Sequence, residues 1–230
     1  MWRQIAGEIE TEIMTGVCQP GEKLATEAAF AIRFGVNRHT VRRAIAFLVE
    51  KGLLRVEQGR GTFVYEHVVD YTVGKRTRFS EIVAGQDREP DGILISAEER
   101  KADAAAAKAM GLARNTRILV LRTLGSADGR PISLGDHMFR AADVPDLAAI
   151  YAETGSLTKA LCAIGIPDFT RKITRVTTRL PKRDEADLLQ QPPNRPVLVS
   201  ESINVTPNGI PLEYGITLFA GDRVQLTFEP

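Results

Sequence analysis

Cysteine is scarce in this chain: Cys18 and Cys162 are its only two, one in each half, and neither belongs to a CxxC or a Cys/His cluster. That excludes a disulfide framework and a zinc site, and it predicts two buried small apolar side chains instead. Long apolar runs are missing too. Stretches such as residues 118–121 fall far short of the roughly 20 residues a membrane span needs, so no membrane partner is expected. Trp2 and Arg3 lead straight into an acidic amphipathic pattern without the apolar core and small-residue cleavage site of a signal peptide, which predicts a cytoplasmic protein. Charge of one sign is absent overall, since 30 basic residues oppose 29 acidic ones. The balance is not even along the chain: residues 33–60 hold seven basic side chains against two acidic ones, the polarity a phosphate backbone selects.

What is present is 43% hydrophobic content over 230 residues, enough for two cores. Ile5, Ile9 and Ile13 recur every fourth residue among glutamates, so residues 2–15 read as a helix with one apolar stripe. Thr26 suits the N-cap of a second, short helix that Gly35 stops, and Asn37 suits that of a third, with Val41, Ala44, Ile45 and Leu48 as its core stripe. Arg38 and Arg42 are four residues apart, as are His39 and Arg43, so they project from the first turns of that helix away from the stripe. A short helix, a tight turn and a basic helix make a helix-turn-helix, whose second helix enters a major groove N-terminus first. Two short apolar segments around Gly59-Arg60-Gly61 then read as a β-hairpin wing with Arg60 at its tip. The same glycines lack the third glycine of a nucleotide loop and open no helix, so no cofactor is expected.

Trp2-x-x-Ile5-Ala6, Pro20-Gly21-x-x-Leu24, Thr26-Glu27, Phe34-Gly35-Val36-Asn37-Arg38-x-Thr40-Val41-Arg42-x-Ala44 and Gln58-Gly59-x-Gly61-Thr62-Phe63-Val64 together resemble the GntR family of winged-helix repressors. The resemblance implies DNA contacts at Arg38, Thr40, Arg42, Gln58 and Gly59. Geometry adds His39, Arg43 and Arg60. Ala25 and Ala28 depart from the family pattern, the first where a proline is usual and the second where many members carry a DNA-contacting arginine.

From about residue 67 to 75 the periodicity fades, which places a linker between a winged helix-turn-helix at 1–66 and a second domain at 76–230. Beyond it strand-like and helix-like segments alternate: strands at 93–96, 116–124, 132–139, 172–180, 196–205, 211–219 and 224–228, and helices at 102–110, 145–154, 156–164 and 182–190. The pattern predicts an α+β class, an antiparallel sheet with helices packed on it. It resembles the ligand-sensing UTRA domain of the HutC subfamily, a fold shared with chorismate lyase. Thr77-Arg78-Phe79-Ser80-Glu81, Leu121-Arg122-Thr123-Leu124 and the closing Phe219-Ala220-Gly221-Asp222-Arg223 are similar to the phosphonate-utilisation regulators of that subfamily.

The chemistry at these positions is oxyanion binding. Arg78 supplies a charged fork, Ser80 a hydroxyl, and the turn around them backbone N–H groups, while Ser156 can cap a helix whose free amides face the same anion. The resemblance implies that Ser80 and Ser156 hold a phosphate. Arg175 and Tyr214, both mid-strand, are further pocket candidates. Thr123, Gly125 and Gly135 stand where sugar-phosphate-sensing relatives carry arginines and a glutamate, which favours a small phosphonate, phosphate or phosphate ester over an amino-sugar phosphate. The expectation is a homodimeric repressor on double-stranded operator DNA, modulated by such an effector. A lyase-like enzyme built on Asp136-His137 is the rival reading, and neighbouring strand residues pointing to opposite faces spoil that pair. A nucleoid-type protein that binds DNA without a ligand leaves the large second domain unexplained.

Overall fold

The computed structural model describes residues 1–57, 59–65 and 68–228. The chain divides into two compact units, Met1–His67 and Val68–Pro230. In the first, α1 (Trp2–Met14) buries Ile5, Ala6 and Ile9. α2 (Glu27–Phe34) starts where the Thr26 hydroxyl accepts from the Ala29 amide, and it stops at Gly35, whose φ of 62° suits a residue without a Cβ. α3 (Arg38–Glu50) starts where Asn37 Oδ1 accepts from the Thr40 amide at 2.9 Å. Val41, Ala44, Ile45 and Leu48 face inward from α3 onto Ile9, Phe30 and Leu54 in one core. β1 (Leu54–Glu57) and β2 (Gly61–Val64) form the antiparallel hairpin. Its free side is covered by the segment before α2, since Leu24 N donates to Thr62 O and Val64 N to Glu22 O, each at 2.9 Å.

The second unit opens with β3 (Val69–Thr72), inside the segment the sequence reading assigns to a linker. It pairs in parallel with β10 (Val224–Thr227) as a small sheet of its own. Between them run α4 (Phe79–Ala84), β4 (Pro90–Lys101), α5 (Ala104–Met110), β5 (Arg117–Ala127), β6 (Arg130–Arg140), α6 (Leu147–Thr154), α7 (Leu157–Ala163), β7 (Thr170–Arg179), α8 (Arg183–Leu188), β8 (Val197–Val205) and β9 (Pro211–Ala220). β4 to β9 make one antiparallel sheet in the order β4-β5-β6-β9-β8-β7. This is the α+β architecture expected, with β3 and α4 added.

Strand alternation sorts the sheet into two faces. On one, Leu121, Phe139 and Leu212 pack with Leu147, Tyr151 and Leu161 of α6 and α7. On the other, Val120, Met138 and Tyr214 meet Ala106 and Met110 of α5, and Leu124, Leu134 and Leu218 meet Leu189 just after α8. The cysteines depart from expectation: Cys18 is half-buried and Cys162 exposed, and both are free thiols. No helix among the described residues is long and apolar enough to cross a membrane.

Candidate functional site

In the first unit the exposed face of α3 carries the predicted cations. Arg38, His39, Arg42 and Arg43 are exposed and Thr40 is half-buried. Thr40 is tied to the cap, its hydroxyl donating to Asn37 Oδ1 at 3.0 Å. Arg42 is held from α2: its Nε and terminal nitrogen donate to both oxygens of Glu27, the shortest bond being 2.8 Å. That bond holds the Glu27 carboxyl below its ordinary value. Arg43 turns the other way, its guanidinium 4.8 Å from the centre of the Trp2 ring. In the wing, Gly59 adopts a φ of 75°, and Arg60 pairs with Glu57 beside the Phe63 ring. Gln58 lies outside the described residues.

The second unit holds a cavity of about 90 Å³ between the α6–α7 face of the sheet and α4. Arg78, Ser80 and Ser156 all line it, Ser80 Oγ donating to Ser156 Oγ at 3.3 Å. Each is more committed than the sequence suggests. Arg78 is only 6% exposed; its guanidinium lies 3.6 Å from the centre of the Phe169 ring, donates to Phe169 O at 3.0 Å, and comes within 3.7 Å of Asp168. Burial pushes its pKa below the usual arginine value. Ser80 stands in the first turn of α4 rather than in an open turn. Ser156 caps its own helix by accepting from Lys159 N at 3.4 Å, and that helix is only seven residues long.

The structure does not bring Arg175 or Tyr214 to this cavity. Tyr214 packs on the opposite face with Met110 and Met138, and Arg175 is exposed on that same side, 3.4 Å from Glu201. The residues that do line the cavity beside Arg78 are Arg171, Asn204, Glu213, His137 and Thr123. They form a chain of hydrogen bonds. Arg171 Nε donates to Asn204 Oδ1 at 3.2 Å, and Asn204 Nδ2 to Glu213 Oε2 at 2.6 Å. His137 Nδ1 lies 2.6 Å from Glu213 Oε1 and its Nε2 lies 3.1 Å from Thr123 Oγ1, which also reaches the Tyr151 hydroxyl. Burial alone would raise the Glu213 pKa. The bond and charge of His137, the charge of Arg171 and the Asn204 amide outweigh it, so the carboxyl sits below its ordinary value. Tyr71, also on the wall, is pushed up to about 12 by burial and stays a neutral phenol.

Gly125 and Gly135 are both packed tightly against neighbouring side chains. A Cβ on Gly125 would lie 2.7 Å from the Phe79 ring, and one on Gly135 would lie 2.6 Å from His137 Nε2. The space beside these glycines is therefore already filled by Ser133, Phe79 and His137. At the rim, Gly92 and Gly155 pack backbone to backbone, so that a side chain at either would collide with the other's carbonyl and displace the turn that carries Ser156. Asp136 and His137 do point apart: Asp136 lies 3.8 Å from Arg122 on the far face, and His137 enters the cavity.

Comparison with known proteins agrees with this division. Residues 2–64 match the family described as bacterial regulatory proteins, gntR family, and residues 85–225 match the UTRA domain. The chain is 39% identical over 230 residues to an uncharacterised HTH-type transcriptional regulator of Rhizobium meliloti (strain 1021), covering 100% of this chain and 94% of that one. It is 31% identical to the protein named "Probable transcriptional regulator PhnF" of Escherichia coli (strain K12), covering 99% and 94%. The crystal structure of PhnF from Mycobacterium smegmatis superposes with a TM-score of 0.69 at 25% identity over 98% of each chain. These relatives are named transcriptional regulators, not enzymes. The chain belongs to the GntR family of bacterial regulatory proteins, a transcriptional regulator that joins a GntR helix-turn-helix to a UTRA domain of the kind found in PhnF and histidine utilization repressors.

Proposed function

We propose that the chain is a repressor that binds a near-palindromic operator as a homodimer, and that a small oxyanion in the cavity of the second unit changes its affinity for DNA. The observation that carries the effector half is the convergence of Arg78, Ser80 and Ser156 on one cavity. The preferred ligand is a phosphonate, phosphate or small phosphate ester, because the cavity measures about 90 Å³ and Ser133, Phe79 and His137 leave no room for side chains at Gly125 and Gly135. The name PhnF among the relatives points the same way.

On the DNA side, Arg38, His39 and Arg42 on α3 are the candidates for base edges and phosphates, with Gly59 and Arg60 in the wing beside them and Arg43 the least available. A planar guanidinium can engage a guanine edge in bidentate fashion, worth about 1–3 kcal/mol of discrimination. Two such heads in successive major grooves require half-sites about one helical turn, or a multiple, apart. Any ligand that favours one arrangement of the heads shifts operator affinity, and DNA shifts ligand affinity by the same factor.

The test is fluorescence anisotropy of a labelled fragment from upstream of the protein's own operon, at fixed salt, titrated with methylphosphonate, inorganic phosphate and an amino-sugar phosphate. Specific binding in the range of roughly 10 nM or tighter is expected. The first or second anion should alter it, and Arg42→Ala should abolish it. Specific binding that none of the anions alters would leave the regulator standing and remove the oxyanion from the cavity.

A further inference from the structure

The cavity contains a second arginine that the motifs did not single out. Arg171 stands at the start of β7, where the register with β8 shifts between Arg171 and Ile173. The shift sends Arg171 to the cavity face with its partner Asn204, while Ile173 and Arg175 face the other way with Ile203 and Glu201. Its hydrogen bond is the one from Nε to Asn204, and among the described residues no carboxylate lies within ion-pair distance of it. Every other charged group on the wall is occupied. Both oxygens of Glu213 are taken, by His137 and Asn204. Arg78 is stacked on Phe169, bonded to its carbonyl and near Asp168, which itself is held by Arg76 at 2.8 Å. Burial first, with the charge of Arg171 among the lesser causes, lowers the Arg78 pKa, and Arg171 itself is half-buried. Glu213 and Asp168 offset part of this positive charge from a distance, and an anion placed between the two guanidinium groups would offset it directly.

Resting on the reading of this cavity as an anion site, we propose that Arg171 is its second cation, and that Arg78 and Arg171 together select a tetrahedral dianion, a phosphonate or phosphate monoester, over a carboxylate of similar size. A tetrahedral head group offers three oxygens to the two guanidinium groups and the Ser80 hydroxyl that line the cavity, and a carboxylate has only two to offer. Guanidinium pairs with phosphate oxygens by paired N–H donors, and the second negative charge adds to the attraction of both cations. One stretch of the wall is internally hydrogen-bonded, from Arg171 through Asn204, Glu213, His137 and Thr123 to Tyr151. A polar tail directed at this stretch would have to break bonds already made.

Isothermal titration calorimetry on the full chain, with methylphosphonate, inorganic phosphate and acetate as probes, tests the idea. The wild type should bind methylphosphonate at least about tenfold more tightly than acetate, and Arg171→Gln should weaken methylphosphonate by roughly tenfold or more while moving acetate less. Arg175→Gln, on the opposite face, should bind as the wild type does. Thermal melting of each variant checks its fold; should Arg171→Gln fail to fold, Arg171→Lys decides, since it keeps the charge and loses the fork, and it should fall between the two. Wild-type methylphosphonate affinity in a folded Arg171 variant would overturn the role of Arg171 and leave the anion site intact. A wild type that binds acetate as tightly as methylphosphonate overturns the dianion selectivity. A wild type that binds none of the three removes the anion reading itself and this inference with it.

Discussion

Arg42, proposed above to contact DNA, is held in place by a neighbour on the preceding helix. Its guanidinium is paired with both oxygens of Glu27, a residue of the preceding helix, while most of it remains in solvent. Glu27 has two opposed effects. Its charge repels nearby phosphates, and its bonds hold the Arg42 fork in one orientation. Glu27→Gln is therefore expected to tighten binding to a scrambled duplex and to lower the ratio of operator to scrambled affinity, measured side by side at fixed salt. An unchanged ratio would mean that Glu27 only neutralises Arg42. Most of this face was legible in the sequence, because helical spacing alone separates Arg38, His39 and Arg42 from the Val41-Ala44-Ile45-Leu48 stripe. The cavity residues were legible only in part. Arg78, Ser80 and Ser156 do meet, but Arg175 was chosen where Arg171 lines the cavity. One extra residue at a bulge reverses which side chains of a strand share a face, and nothing local in Thr170–Arg179 announces it.

Elements with their own start and stop signals were found; those defined by distant partners were not. Thr26 and Asn37 sit at N-caps with the side-chain bonds their chemistry allows, and the strands of the large sheet fall close to their expected places, except that β4 runs from Pro90 to Lys101 where only residues 93–96 were expected. β3 is four residues long and exists by pairing with β10, some 155 residues away in sequence, a relation that local periodicity cannot carry. α4 has six residues and one buried side chain, Val83, too few to write a helical stripe. Asn37 carries more than an ordinary cap, because the Thr40 hydroxyl also depends on it. Asn37→Ala should cost about 1–2 kcal/mol in the first unit and loosen the first turn of α3, the turn that presents Arg38 and His39. Urea unfolding followed by the fluorescence of Trp2, the chain's single tryptophan, measures it; a loss no larger than that of an exposed alanine substitution elsewhere on α3 would contradict the assignment.

At the scale of the molecule, the second unit depends on buried polar links as well as on its cores. Glu213 is 3% exposed and its carboxyl is held below the ordinary 4.5. A carboxyl with a depressed folded-state pKa stabilises the fold above its unfolded value, and that contribution is lost as pH falls through the lower folded value. The second unit should therefore lose stability below about pH 4.5. Glu213→Gln should be less stable at neutral pH and show a flatter acid limb, read from urea midpoints across that range. Parallel acid limbs in the two proteins would assign the loss to other carboxyls, such as Glu185 in its bonds with Arg179 and Lys182 N.

The pairing of β3 with β10 also orders events during synthesis. The winged helix is complete once β2 has left the ribosome, whereas β3, the first strand of the second unit, must wait for β10, after β4 to β9 have been made. Arg223, just before β10, bonds the carbonyls of Pro131, Leu189 and Gln190, so its arrival also ties distant loops together. N-terminal units fold first and long-range pairing is slow. Each new molecule thus passes through an interval in which its DNA-reading head is finished and the part that would listen for a signal is not.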